Sequence, residues 1–328
     1  MQVVSASAIR SVLALVWLVC ASTVPAAASL YDPAGSETVA APHVVGTSRE
    51  TMLYGRRVRS YLVHLPPCYD GQHKLPLVIM LHGGAADARA TEKITGLSVK
   101  ADSAGFIVVY PNGLGRFGRF IRTWNAGDCC GYARRHHIDD ISFLKELIAS
   151  MKQHYSVDSS KVYIAGFSNG AMLAYQAADS LVDQVAAIAV VSGSMTGREG
   201  KLARPLPVII FHGTADRNVP YGGGGGKLAK WGYAVNRKPV SYAVGFWVDL
   251  NGCLKVPETV ERGDVVIQKY TGGKDGASVV LYTMKGAGHI WPGGGRTWIG
   301  GDQPVNEVPA TDLIWDFFSS YSRTDAAN

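Results

Sequence analysis

The stretch Lys161-Val162-Tyr163-Ile164-Ala165-Gly166-Phe167-Ser168-Asn169-Gly170 decides how this chain is read. Its first half is an apolar run of strand composition. The next residues, Ala171-Met172-Leu173-Ala174-Tyr175-Gln176-Ala177-Ala178, have helical spacing and composition. A serine placed between them sits on a sharp strand-to-helix turn, the context that gives a G-x-S-x-G match its meaning. Side chains on the flanking positions would collide with the crossing strand and helix. Glycine at 166 and 170 removes that obstruction and leaves the Ser168 hydroxyl exposed at the carboxyl end of a sheet.

Outward from this turn, strand and helix signals alternate. Leu75 to His82, Phe106 to Tyr110, Val185 to Val191 and Leu206 to His212 are continuous apolar runs, as expected of strands buried on both faces. Val58 to Leu65 alternates like a half-exposed strand, and Ser278 to Thr283 reads as another strand. Helices are expected over Thr91–Ala104, Asp139–Tyr155 and about Ala310–Tyr321. The middle one carries an apolar stripe at Ile141, Leu144, Leu147, Ile148 and Met151. This alternation implies an α/β fold, a mostly parallel central sheet with helices on both faces. Ligands in such sheets gather outside the carboxyl ends of the strands.

A serine hydroxyl needs a base to remove its proton, and that base needs an orienting anion. In the hydrolase topology the order along the chain is Ser, then Asp or Glu, then His. Asp216 follows the strand 206–212 in His212-Gly213-Thr214-Ala215-Asp216, and His289 follows the strand 278–283 in Gly286-Ala287-Gly288-His289. Ser168, Asp216 and His289 are therefore the expected catalytic trio. Donors for a developing oxyanion are expected from the backbone N–H of Asn169 and of about Gly84, in the His82-Gly83-Gly84 turn. Because these are backbone groups, truncating the Asn169 side chain should matter less than truncating the trio. His82 and His212 each end a buried strand and are expected to be packed residues. His136 and His137 lack tetrahedral-site spacing, so no metal is expected there, and Asp139 and Asp140 are read as helix caps.

The chain has 328 residues, is 47% hydrophobic and 18% charged, and carries a net charge of +6. No dense Lys/Arg run accompanies the positive balance, so nucleic acid is not an expected partner. Arg10 is the only charged residue before Asp32; Ser11 to Val24 is almost wholly apolar, and Pro25 to Ser29 supplies small residues. This reads as a secretory signal over 1–28, followed by a single catalytic domain over 29–328 and residence outside the cytoplasm, extracellular or periplasmic. The apolar stretch falls short of the ~20 residues of a spanning helix, so stable membrane insertion is not expected. Beyond the signal, Cys68, Cys129, Cys130 and Cys253 form an even set, which suggests two disulfides. A bond between the adjacent pair closes a strained small ring, so each of Cys129 and Cys130 is expected to pair with one of the distant two.

Together these residues resemble a family. Leu81-His82-Gly83-Gly84, Trp124-Asn125-Ala126-Gly127-Asp128-Cys129-Cys130-Gly131, Gly166 to Gly170, His212 to Asp216 with Val219-Pro220-Tyr221, and Gly288-His289-Ile290-Trp291-Pro292-Gly293 resemble secreted serine esterases. These are the polyhydroxybutyrate depolymerase-like and feruloyl or acetylxylan esterase-like proteins of carbohydrate esterase family one, with the α/β-hydrolase fold. The resemblance implies the Ser168, Asp216, His289 triad, an ester substrate (polyester oligomer or acylated polysaccharide) and no metal or organic cofactor. The Cys129-Cys130 pair also looks familial. The chain ends soon after its last expected helix, which points to soluble oligomers or wall-bound acyl esters over an insoluble granule. Trp291, and less directly Trp124 and Tyr110, are candidate aromatic plates for a sugar or phenolic group. An acyltransferase, a peptidase and a non-catalytic carbohydrate-binding protein are the rival readings.

Overall fold

The computed structural model describes residues 44–116, 120–200, 202–226, 237–296, 302–303 and 305–323. The proposed signal over 1–28 lies outside them. The described residues all belong to one compact unit, His43–Asn328.

The apolar runs form the centre of a ten-stranded sheet. Strands β3 (Leu75–Leu81), β4 (Ile107–Pro111), β7 (Val157–Phe167), β8 (Ala187–Val191), β9 (Val208–Gly213) and β12 (Val279–Met284) lie parallel in the order β4-β3-β7-β8-β9-β12. Alternate residues of β3 serve opposite faces. Leu77, Ile79 and Leu81 join a core with helices α4 (Asp140–His154), α5 (Asn169–Leu181) and α6 (Val240–Asn251). Val78 and Met80 join the other core, with α1 (Ala88–Thr95), α2 (Leu97–Ala104) and α7 (Ala310–Ser319). Burial on both faces is what makes these strands read as unbroken apolar runs.

Antiparallel strands complete both edges. On one side β2 (Arg57–Leu65) pairs with β4, and β1 (Gly46–Tyr54) pairs with β2 across the two-residue turn Gly55-Arg56. On the other, β11 (Val265–Tyr270) pairs with β12, and β10 (Glu258–Arg262) pairs with β11 across Gly263-Asp264. Gly55 and Gly263 take positive φ, 59° and 56°, as two-residue hairpin turns require. The single helix expected over 91–104 is two helices. Asp87 caps α1 by accepting from the Ala90 N–H at 2.9 Å, and Gly96 breaks the run in a left-handed conformation. Strands β5 (Leu114–Arg116) and β6 (Phe120–Thr123) make a small separate sheet. It is tied to the loop after β3 by the Ala85 N–H donating to the Arg122 carbonyl, 2.8 Å.

Candidate active site

Ser168 stands between β7 and α5 with φ 55° and ψ −116°, a conformation that costs a non-glycine residue of order 1–3 kcal/mol and persists only where packing enforces it. The packing is visible at its neighbours. A Cβ on Gly166 would meet the Gly170 backbone at 2.5 Å, and one on Gly170 would meet the His82 carbonyl at 2.5 Å. Both glycines are thus required by close backbone approach, as the sequence pattern suggests.

Three loops at the carboxyl ends of β7, β9 and β12 bring Ser168, Asp216 and His289 together. His289 Nε2 lies 2.9 Å from the Ser168 Oγ, and His289 Nδ1 lies 2.7 Å from Asp216 Oδ2. A carboxylate only accepts, so Nδ1 carries the proton and Nε2 is left to accept from the serine hydroxyl. The second oxygen of Asp216 accepts from the N–H groups of Asn218 and Val219, each at 2.8 Å. Asp216 therefore does both things a loop aspartate can do: it holds the turn and it backs the imidazole. Burial works to raise its pKa, but the facing His289, His212 and the Val219 N–H outweigh that and hold it below the ordinary carboxylate value. Asp302 adds a support that sequence reasoning missed: its Oδ2 accepts from the His289 backbone N–H at 2.7 Å.

The expected oxyanion donors are placed beside the serine. Positions 83 and 84 face Ser168 and Asn169: an added Cβ would lie 3.5 Å from the Ser168 Cβ and 3.7 Å from the Asn169 Cβ, respectively. Asn169 is the first residue of α5, so its N–H has no intrahelical acceptor and sits at the positive end of the helix dipole. His82 and His212 are packed, as expected. His82 donates from Nδ1 to the Gly83 carbonyl at 2.7 Å and accepts from the Gly113 N–H at 2.9 Å. His212 donates to the Val219 carbonyl at 2.8 Å. Burial lowers the pKa of both imidazoles.

A cavity of about 460 Å³ opens over Ser168, walled by Ala86, Ile94, Ile121, Met172, Val219, Arg237 and the Cys129-Cys130 pair among others. Both tryptophan expectations need correction. Trp291 borders this cavity but is 0% exposed; its Nε1 donates to the Thr311 Oγ1 at 3.0 Å and its ring meets Phe167 edge-on, so it is no open plate at a rim. Trp124 is also 0% exposed, packed against the His82 ring, with Nε1 donating to the His82 carbonyl at 2.9 Å. It buttresses the site from behind. Tyr110 is buried too, its hydroxyl bonded to Ser98.

The cysteine expectation is overturned. Cys129 and Cys130 are joined to each other, while Cys68 and Cys253 are free. Cys68 follows β2 and packs at Gly105, whereas Cys253 follows α6 and lies against Gly273 and the Ala277 carbonyl. Neither of these two thiols is paired. The capping expectation holds for Asp139, which accepts from the Ser142 N–H at 3.0 Å. Asp140 instead pairs with buried Arg59 at 2.8 Å and accepts from the Asn125 N–H at 2.8 Å. Arg59 was not singled out from the sequence, since nothing local marks a strand arginine as buried.

A mostly parallel sheet carrying a serine at a strained strand-to-helix turn, a histidine and an aspartate at successive strand ends is the α/β-hydrolase fold. Comparison with known proteins agrees. The esterase PHB depolymerase family matches residues 59–217. Feruloyl esterase B of Piromyces equi is 30% identical over 73% of this chain and 44% of its own length. The bifunctional acetylxylan esterase/xylanase of Neocallimastix patriciarum is 34% identical over 44% of this chain and 20% of its own. The chain thus spans less than half the length of these two relatives. Among solved structures, the acetyl xylan esterase from Aspergillus awamori shares the fold with a TM-score of 0.56 at 15% identity, covering 83% of this chain and 99% of that one. The chain thus has the α/β-hydrolase fold and, over residues 59–217, is similar to the esterase PHB depolymerase family.

Proposed function

We propose that this protein is a serine carboxylic-ester hydrolase that works through an acyl-enzyme, of the polyhydroxybutyrate-oligomer depolymerase type. The observation that carries the reading is the continuous contact from Ser168 Oγ through His289 to Asp216, 2.9 Å and 2.7 Å. Ser168 attacks the ester carbonyl while His289 Nε2 takes its proton. Asp216 fixes the tautomer and stabilises the imidazolium that forms. The N–H groups of Asn169 and Gly84 receive the oxyanion, each such donor contributing ~2.7–4 kcal/mol to transition-state binding. His289 then gives its proton to the departing alcohol, and water repeats the sequence to free the acid. No step requires a metal or an organic cofactor. Residues 1–28 act as a secretory signal and 29–328 as the catalytic domain, which places the enzyme outside the cytoplasm. Among the described residues no helix is long and apolar enough to cross a membrane.

A second reading, feruloyl or acetylxylan ester hydrolysis on plant cell wall, is favoured by the activities for which two of the relatives are named. Purified protein should be ranked by kcat/KM on hydroxybutyrate oligomers, methyl ferulate, acetylated xylan and short nitrophenyl esters. Ser168→Ala should lower kcat on every hydrolysed ester by at least ~10⁴-fold with the fold intact. Residual turnover near the wild-type rate defeats the serine mechanism.

A further inference from the structure

One charged side chain on the cavity wall has no part in the mechanism. Arg237, three residues before α6, is 7% exposed and borders the cavity that holds Ser168 and His289. Its backbone is fixed: the Arg237 carbonyl accepts from the Gly224 N–H at 2.9 Å, and the next residue donates to the Met195 carbonyl at 2.9 Å. The guanidinium is anchored at Nη1, which donates to the Asn218 carbonyl, while its buried Nε–H has no acceptor among the described residues. The Asn218 N–H in turn bonds Asp216, so the cation stands on the Asp216–His289 side of the cavity. The rest of the wall is largely apolar, with Ala85, Ala86, Ile94, Met172 and Val219.

A buried guanidinium needs an anion or several acceptors to offset its desolvation. The nearby anion is Asp216, whose oxygens are already shared by His289, Asn218 and Val219. Burial lowers the Arg237 pKa and Asp216 only partly opposes this. Among the described residues the charge is therefore matched incompletely, and a planar guanidinium on a cavity wall suits a carboxylate. The side of the cavity matters as well. His289 protonates the departing oxygen, so the alcohol half of the ester lies on the His289 side.

We infer that Arg237 determines specificity by binding a free carboxylate on the alcohol half of the substrate, so that the preferred esters are those whose leaving alcohol is itself a hydroxy acid. This rests on the esterase reading and narrows it to the terminal ester bond of short hydroxyalkanoate oligomers. An arginine reaching the chain end acts on the last linkage. A feruloyl or acetyl ester of a neutral sugar offers it no partner.

The test compares three substrates on the wild-type protein and on Arg237→Gln and Arg237→Lys: the linear dimer of 3-hydroxybutyrate as free acid, its methyl ester, and nitrophenyl butyrate. The expected result is a wild-type preference for the free acid, carried by KM. Arg237→Gln should lose roughly 10- to 100-fold in kcat/KM on the free acid, the range of a charge-assisted hydrogen bond, and change little on the two uncharged esters. Arg237→Lys should recover part of the loss. Equal wild-type rates on acid and methyl ester overturn the inference even where the variants fail to fold. An equal loss on all three substrates overturns it too, because the arginine then only supports the Asp216 loop. Failure of the wild type on every ester overturns the esterase reading itself, and this inference with it.

Discussion

Asn169 grips Trp124 with both ends of its side-chain amide: Oδ1 accepts from the Trp124 N–H at 2.7 Å, and Nδ2 donates to the Trp124 carbonyl at 3.2 Å. The residue after Ser168 thus uses its side chain to clip the loop that carries Cys129 and Cys130. The side chain therefore has a structural task of its own, while its truncation should still matter less than truncating the trio. Asn169→Ala leaves the buried Trp124 N–H unpaired, at a cost of about 1–3 kcal/mol, while the Trp124 carbonyl still accepts from the Cys130 N–H at 3.0 Å. Urea unfolding should show a loss of at least that size. Activity should fall about tenfold, far less than for Ser168→Ala, because the cavity wall shifts while the triad remains. A loss as large as that of the serine variant contradicts this division of roles.

The cysteine pairing has a direct chemical readout. Non-reducing proteolysis and mass spectrometry should find Cys129 and Cys130 linked within one peptide. A thiol reagent should label exposed Cys68 in the native protein and buried Cys253 only after unfolding. Recovery of a peptide joining Cys68 or Cys253 to the 129–130 segment contradicts the structure and restores the distant pairing.

The sequence made the centre of this fold legible and left its edges obscure, for one physical reason. Strands such as β8 and β9 are buried on both faces and write unbroken apolar runs. Strand β10, Glu258-Thr259-Val260-Glu261-Arg262, is exposed throughout and β1 has no fully buried residue, so neither writes an apolar run. The meeting of Ser168, Asp216 and His289 was legible because each follows a strand of that buried kind. Trp124 and Trp291 were misplaced because an aromatic ring near a catalytic motif looks the same in sequence whether it faces substrate or packs behind it. Arg59, Arg237 and Asp302 carried no local signal, since their roles exist only across long chain separations.

Acid should destabilise the protein before Asp216 protonates. Burial, with Arg122 and Arg59 nearby, depresses the His82 pKa from the ordinary 6.5 to about 4, against opposing contributions from the Gly83 carbonyl and Asp87. The unfolded chain then binds this proton first, between pH 6.5 and 4, so stability rises with pH across that window and is lost as pH falls. Full loss amounts to about 3 kcal/mol for this fully buried ring. His212 is shifted in the same direction by burial and adds to the slope. Asp216, whose folded pKa is lowered, contributes stability present above the unfolded carboxylate value and lost only below it. Denaturant midpoints measured from pH 7 to 4 should fall, and His82→Gln should flatten the slope while lowering the pH 7 value. A pH-independent midpoint above pH 4.5 contradicts a neutral buried His82.

Arg59 and Asp140 separate two accounts of the adjacent aspartates at the start of α4. Were Asp140 only a cap, its replacement would resemble that of Asp139, a loss of about 1 kcal/mol. The structure instead buries Asp140 against Arg59, whose guanidinium also lies 3.7 Å over the Phe143 ring, and joins the pair to the loop through the Asn125 N–H. Asp140→Ala strands a buried cation, so it should cost about 3–5 kcal/mol. Exchanging both partners for apolar residues, Arg59→Met with Asp140→Leu, should recover much of that, because the desolvation of the charges disappears with them. The loop from Trp124 to Cys130 hangs on this pair and also walls the catalytic cavity. The single variant should therefore lose activity at temperatures where it remains folded, while Asp139→Ala should not. Equal effects of the two alanine variants on unfolding free energy, measured in urea under one set of conditions, would return Asp140 to the role of a helix cap.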